Sequence, residues 1–226
     1  MSSPAHVTLR LCMLDLLLGL TLGLAGCLSA GLHSKEPPQQ QYLLSWPAPT
    51  GDTAGLAAPT AAVSASLDAA RSLQVLVPTT APGLAGDGIA LLRPAGQLDY
   101  YSGARWGASA PQMLQTLAIE ALRQRGRFSL VQSDSAPFEA GWVLQLELTH
   151  FEADYAGDAA PTIRVAMVGT LGQRSDRRAV LTLSLQTSAQ ATANRMSAVV
   201  AAFQAASTEA LRQLADRVQP PAATAP

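Results

Sequence analysis

Apolar and polar residues alternate over much of the second half of the chain. From Trp142 to Leu148 every second residue is apolar, and the same period recurs over residues 162–173 and from Leu181 to Leu185. A period of two is typical of strands that bury one face. A polar turn at residues 174–178 separates the last two segments. We therefore predict an antiparallel meander of three strands here.

Two other segments repeat their apolar residues at helical spacing. The first begins after Ser109, has Pro111 in its first turn and ends at Gly126, which are typical start and stop residues of a helix. The second covers about residues 195–218, where small and apolar side chains recur every three or four positions. Both segments predict amphipathic helices that pack one face on a sheet.

Shorter apolar runs complete the predicted domain, which spans residues 72–218. A turn at residues 94–96 indicates that two of these runs form a hairpin. The fold class that we predict is α+β, a single two-layer domain with a mostly antiparallel sheet packed by two amphipathic helices. The shorter strand candidates are residues 72–77, 89–93, 98–106 and 128–131.

The N-terminus has the pattern of an export signal. An apolar run at residues 11–24, broken once by Asp15, is too short and interrupted for a membrane span. It ends in Leu24-Ala25-Gly26-Cys27, which resembles the bacterial lipobox. We expect cleavage between Gly26 and Cys27, so that residues 1–26 are a lipoprotein signal peptide. The alternatives are a signal that is cleaved nearby without lipidation and an uncleaved anchor helix.

Composition separates the lipidated N-terminus from the domain. Residues 27–71 are rich in Pro, Gln, Ala and Ser, which favours a flexible tether. Within it, Tyr42 to Trp46 is an extended candidate that could dock as an edge strand. Residues 219–226 are predicted to be a disordered tail. Much of the 48 % hydrophobic content therefore lies outside the predicted core.

Charge and cysteine usage exclude several kinds of function. With 15 basic and 16 acidic residues, the formal charge is -1, which argues against general nucleic-acid binding. Cys12 would leave with the signal peptide, and Cys27 would carry diacylglycerol and an N-acyl chain. The mature chain would then have no thiol for a disulfide, a metal site or a nucleophile.

The sequence offers little catalytic chemistry. There is no Gly-x-Ser-x-Gly motif, and the glycines of residues 83–88 lack the lysine of a phosphate-binding loop. His150, Glu152 and Asp154 would share one face of a strand and could in principle bind a metal. Polar strand ends of this kind are more commonly solvated, so we predict no enzyme activity, no metal and no cofactor beyond the covalent lipid.

Two clusters are candidates for surface contacts. Tyr100, Tyr101, Arg105 and Trp106 either pack in the core and at its edge, or contact a partner protein through their outward members. The arginines of residues 123–127 and 174–178 are either solvated turn charges or contacts to anionic lipid head groups.

Several motifs in order carry a family resemblance. After the lipobox come Tyr42-Leu43-Leu44, then residues 73–78 leading to Ala81-Pro82-Gly83-Leu84, and then Leu98 to Trp106 with its Tyr-Tyr and Arg-Trp pairs. In this order the sequence resembles the ABC-type transport auxiliary lipoprotein family, to which the paraquat-inducible protein C lipoprotein belongs.

The resemblance implies a non-enzymatic lipoprotein of the outer membrane that faces the periplasm. It implies work with an ABC permease and a mammalian-cell-entry (MCE) protein in phospholipid transport between the membranes, and leaves assembly into a homo-oligomer open. The alternative is an envelope lipoprotein that chaperones or plugs an outer-membrane complex. An envelope hydrolase built around His150 is a third reading, which would need a nucleophile paired with a base.

Overall fold

The computed structural model describes residues 39–48, 69–156 and 160–221. The predicted signal peptide at residues 1–26, the lipidated Cys27 and most of the predicted tether lie outside the described residues. So does the end of the predicted tail from residue 222. The predictions for these segments therefore stay predictions.

The described chain forms nine strands and two long helices, with short 3-10 turns at Ala69–Arg71 and Pro94–Gly96. The predicted α+β class is confirmed. The strands are β1 (Gln40–Tyr42), β2 (Ser72–Val75), β3 (Thr79–Thr80), β4 (Gly88–Arg93), β5 (Gln97–Trp106), β6 (Leu130–Ser133), β7 (Trp142–Asp154), β8 (Thr162–Gln173) and β9 (Arg178–Gln190), and the helices are α1 (Ala110–Arg125) and α2 (Met196–Arg217).

The predicted meander is formed by β7, β8 and β9. Both ladders are antiparallel, and they pair Trp142 with Gln173 at one end and Asp154 with Thr162 at the other. A bulge between Leu148 and His150 shifts the register of β7, and the strand continues beyond it to Asp154.

The other edge of β7 holds three short strands that the sequence pattern did not predict to lie side by side. β2, β3 and β4 pair with it in succession, and all three run parallel to it. Pro78 and the glycines of residues 83–88 interrupt the chain between them. Because each piece is short, this parallel part of the sheet holds fewer paired residues than the antiparallel meander.

Both helices cover one face of the sheet. Helix α1 begins after Ser109 and ends at Gly126, whose positive φ of 65° is the left-handed conformation that a glycine adopts readily. Helix α2 packs on β8 and β9, and it presents Phe203 and a row of alanines to the core. The small side chains allow the helix to approach the strands closely.

An aromatic cluster lies at the centre of the core. Trp106 of β5, Phe151 of β7 and Phe203 of α2 are each at most 1 % exposed. Their ring centroids lie 5.7 Å apart for Trp106 and Phe151, 5.1 Å for Trp106 and Phe203, and 5.0 Å for Phe151 and Phe203. Such tilted and edge-on pairs contribute beyond the area that they bury.

The extended segment that we predicted before the domain docks on it. β1 pairs parallel with the end of β5, and Leu44 is buried. The Ser45 N–H donates to Gln204 Oε1 of α2 at 2.9 Å, and Trp46 Nε1 donates to Gln124 Oε1 of α1 at 2.7 Å. We call residues 40–46 the N-terminal strap, because they contact both helices.

Removing one ring of the aromatic cluster should cost much of the stability of the domain. We expect Phe203→Ala to lower the free energy of unfolding by about 3–5 kcal/mol, because it leaves a cavity between Trp106 and Phe151. Urea denaturation measures this change. The matched control is Phe138→Ala, which removes the same side chain where it is 67 % exposed and should change stability by less than about 0.5 kcal/mol. Equal effects of both substitutions would contradict this account of the core.

Candidate partner-contact site

The hairpin β4–β5 carries the cluster that the sequence singled out. Its turn contains Ala95 and Gly96, both at positive φ. Along β5 the side chains alternate until Gly103, whose φ of 73° interrupts the regular strand. The pairing to β4 is irregular at the same place, since Ala90 pairs with Tyr100 while Gly88 pairs with Arg105. This irregularity decides which residues reach the surface.

Trp106 lies in the core and not at the surface. It is 1 % exposed and packs against Phe151 and Phe203. Its indole Nε1 is buried without a hydrogen-bond partner among the described residues. Trp106 was one of the four candidate contact residues, and its role in the folded domain is packing.

Tyr101 is half-buried on the same side of the sheet as Trp106. Its hydroxyl lies 2.8 Å from the hydroxyl of Tyr155, which donates to Asn194 Oδ1 at 2.8 Å. Burial raises the pKa of Tyr101 well above its ordinary value, and the hydrogen bond to Tyr155 raises it further. The chain of hydrogen bonds ties the hairpin to the segment that leads into α2.

Tyr100 and Leu98 form the exposed apolar part of the hairpin. They are 45 % and 38 % exposed, respectively. A Cβ on Gly88 would lie 2.6 Å from the Tyr100 ring, and one on Gly83 would overlap Leu98, so both side chains lie against bare backbone. The Tyr100 hydroxyl donates to the Gly83 carbonyl at 2.8 Å. These contacts hold an exposed ring in one orientation.

Arg105 completes this surface from the end of β5. Its Nη1 lies 3.3 Å from Asp87 Oδ2, and a second ion pair joins Arg93 to Asp99 at 3.1 Å near the turn. Exposed pairs of this kind stabilise a fold by less than about 1 kcal/mol. The side chains remain accessible, and we call Leu98, Tyr100 and Arg105 the hairpin patch.

The structure thus divides the predicted cluster. Tyr100 and Arg105 lie on the surface, whereas Trp106 is buried in the core and Tyr101 packs half-buried at its edge. Leu98 belongs to the patch but was not among the predicted contact residues. The signal that could have identified it is its position two residues before Tyr100, which puts both side chains on one strand face.

The strand residues that we considered as metal ligands are engaged with other groups. His150 Nδ1 lies 2.7 Å from Glu152 Oε1, and the other oxygen of Glu152 accepts the Phe151 N–H at 2.6 Å. Asp154 lies 3.4 Å from the guanidinium of Arg164. Within the described ranges, no group of three or more His, Cys, Asp or Glu side chains is arranged to hold a metal ion.

The fold and the hairpin place the chain in the class of two-layer α+β domains. A family model described as the ABC-type transport auxiliary lipoprotein component matches residues 55–215. The chain belongs to this family, so it is an auxiliary lipoprotein of ABC-type transport and is associated with the cell envelope. The resemblance that we drew from the sequence is confirmed.

Solved structures share the fold. Protein XCC0632 from Xanthomonas campestris is 26 % identical, with a TM-score of 0.59 over 64 % of this chain and 81 % of that chain. An uncharacterized protein is 15 % identical, with a TM-score of 0.57 over 80 % of this chain and 98 % of the other. The second likeness shows the fold alone.

No curated protein matches this chain. Neither long helix in the part of the chain that the structure describes has the combination of length and apolar sequence needed to cross a bilayer.

Tyr101 should make the stability of the domain sensitive to alkaline pH. Its pKa is raised in the folded state above the ordinary value of 10.0, so the unfolded chain releases this proton first. The contribution is complete below pH 10 and is lost as the pH rises further. We expect the advantage of the wild type over Tyr101→Phe in the free energy of unfolding to shrink above pH 10. Chemical denaturation at pH 8 to 11, roughly the range around the ordinary tyrosine pKa of the unfolded chain, tests this, and a constant difference would contradict it.

Proposed function

We propose that this protein is a lipid-anchored component of the outer membrane that faces the periplasm and docks an MCE-containing ABC-type phospholipid transport assembly. The observation that carries the proposal is the family match over residues 55–215. The acyl chains on Cys27 would hold the protein at the membrane, and the folded domain would present its hairpin patch to the MCE partner. The role is one of positioning and needs no catalytic group.

The anchor is supported by the family and by the lipobox. Two or more acyl chains hold a protein stably on a bilayer, since each buried methylene contributes about 0.8 kcal/mol. Residues 28–38 alone separate Cys27 from the described chain at Gln39. At roughly 3.3–3.6 Å per residue, this stretch limits their separation to about 40 Å. The domain would therefore lie close to the membrane that holds the lipid.

The docking role is supported by the hairpin patch. Tyrosine and arginine are common at the centres of protein interfaces, where a rigid ring gives contact area at low entropic cost. Tyr100 is held against Gly88 and Gly83, so little ordering would be needed when a partner binds. The neighbouring Leu98 adds apolar area to the same face.

The first test concerns the anchor. We expect wild-type protein to incorporate labelled palmitate in bacteria and to lose residues 1–26, because Cys27 is the acylated residue. Cys27→Ala should abolish labelling and leave the longer precursor. Cys12→Ala is the matched control, since it removes the other cysteine and should label normally. Labelling of Cys27→Ala, seen by gel electrophoresis, would refute the anchor.

The second test concerns docking. A tagged chain with Leu98→Ala and Tyr100→Ala should recover about tenfold less MCE protein from detergent extracts than the wild type, because the exposed contacts are lost. Phe138→Ala is the control for loss of an exposed apolar side chain elsewhere.

The outcome also separates the two functional classes. Recovery of outer-membrane barrel or secretion proteins in place of any MCE protein would favour the assembly lipoprotein and overturn the transport role. Equal recovery of the MCE protein by wild type and double variant would remove docking from the hairpin patch while leaving the transport role standing.

A further inference from the structure

Two loops meet at the end of the sheet opposite the hairpin turn. The β6–β7 loop spans residues 134–141, and the β8–β9 turn spans residues 174–177. Arg174 joins them, because its Nε donates to the Ala140 carbonyl at 3.0 Å and its guanidinium also contacts Gln74 of β2. The Arg174 N–H donates to the Gly141 carbonyl at 3.0 Å. The two loops therefore form one surface.

Arginines from other parts of the chain continue this surface. Arg71 donates to the Arg127 carbonyl at 3.3 Å, and Arg127 itself hydrogen-bonds to Gln219 beyond α2. Trp142, at the start of β7, donates to the Ala70 carbonyl, which joins Arg71 to the same strand end. We call this surface the basic end and define it by Arg71, Arg127, Arg174, Arg177, Arg178 and Phe138.

Other arginines of this region have a structural role. Arg123 donates to the Val131 carbonyl, and Arg125 lies 2.5 Å from Asp216. Both stand in the last turn of α1, where positive charge also complements the helix dipole. Both side chains are thus engaged within the folded domain.

The charges of Arg177 and Arg178 are not explained in this way. Arg178 is exposed, and the carboxylate that lies near it is Asp176 at 3.8 Å, which is itself exposed. Arg177 has a positive φ of 52°, an uncommon conformation for a residue with a side chain. A groove of about 450 Å³ beside the turn is lined by Arg174, Arg177 and Arg178 together with Val143, Gln145, Thr170, Gly172, Gln173 and Ala179.

An apolar residue accompanies these charges. Phe138 is 67 % exposed in the β6–β7 loop, two positions before the Ala140 that contacts Arg174. Its backbone is held, because Gln132 Nε2 donates to the Phe138 carbonyl at 2.5 Å. A second cavity of about 410 Å³ adjoins the groove, and besides Arg174 it is lined by one carboxylate, that of Glu139, together with Ala70, Ala140, Gly141, Trp142, Gln173 and Ser175. The basic end therefore combines positive charge with exposed apolar area.

We propose that the basic end is a membrane-contact surface that binds bilayers containing anionic phospholipid. Arg177 and Arg178 would lie against phosphate oxygens of the head groups, and Phe138 would enter the boundary between head groups and acyl chains. The inference uses the membership of a lipoprotein family and does not depend on the docking role of the hairpin patch.

Two observations favour a bilayer over an acidic protein as the occupant. A domain carried by a lipoprotein works beside a membrane, so its surface meets head groups at high local concentration. The arginines project from a hairpin turn and the phenylalanine from a neighbouring loop, and a turn of this kind can approach a flat bilayer. Because the whole chain has a formal charge of -1, the attraction must come from local charge at this end.

The test uses residues 28–226 without acylation, which contain every described residue. Circular dichroism checks the fold of each variant. We expect this protein to co-sediment with phosphatidylethanolamine vesicles containing about one third phosphatidylglycerol, and to bind phosphatidylcholine vesicles far less. The variant Arg177→Gln with Arg178→Gln should bind the anionic vesicles about thirtyfold more weakly, since each arginine near the surface contributes about 1 kcal/mol.

Matched variants make the result specific to the basic end. Arg93→Gln with Arg195→Gln removes the same charge at exposed positions outside the basic end and should bind the anionic vesicles within about twofold of the wild type. Phe138→Ser should weaken binding about tenfold through loss of apolar contact.

Some outcomes would overturn the inference. These are equal binding to both kinds of vesicle, or an equal effect of the two arginine pairs. Another is normal vesicle binding by the Arg177 and Arg178 variant together with reduced recovery of the MCE protein, which would assign the surface to an acidic protein. If the Leu98 and Tyr100 variant docked normally, that result would concern only the hairpin patch, and the membrane-contact role of the basic end would stand.

Discussion

Strand β7 depends on having both of its edges hydrogen-bonded, and much of the structure follows from that requirement. The strand is buried on one face, and an unpaired backbone N–H or C=O group at its edge would destabilise the fold. β8 satisfies one edge along nearly the whole strand, whereas β2, β3 and β4 share the other. The aromatic cluster of Trp106, Phe151 and Phe203 then ties the hairpin and α2 to the same strand.

The length of β7 also separates the basic end from the hairpin patch. The basic end adjoins Trp142 at the start of the strand, whereas the hairpin turn lies near Asp154 at its end. A strand of this length extends about 40 Å, and the hairpin patch lies part of the way back from its end, since Tyr100 pairs with Ala90 and Arg105 with Gly88. The basic end could therefore contact a bilayer while the hairpin patch contacts a protein at the same time.

The sequence predicted the elements that obey a simple period and missed those decided by contacts distant in the chain. β7, β8 and β9 could be predicted because a strand with one buried face must alternate. The order of β2, β3 and β4 along β7 could not, because short apolar runs carry no information about which edge they join. In the candidate cluster, strict alternation would put Trp106 on the side of Tyr100. The irregularity at Gly103 turns it into the core instead, and a single glycine is a weak signal for such a change.

The N-terminal strap is the part of the described chain that a pull from the N-terminal side would load first. A tension applied at Gln39 would load the short ladder between β1 and β5 and the hydrogen bonds of Ser45 and Trp46, before it reached the main sheet. Peeling these few contacts away costs less than unfolding the core. If Cys27 is the membrane anchor, as we propose, the greatest possible distance from Cys27 to the remaining fold then rises from about 40 Å, the extended length of residues 28–38, to about 140 Å, the extended length of residues 28–68. Release of the strap would therefore lengthen the connection to the proposed anchor without unfolding the core.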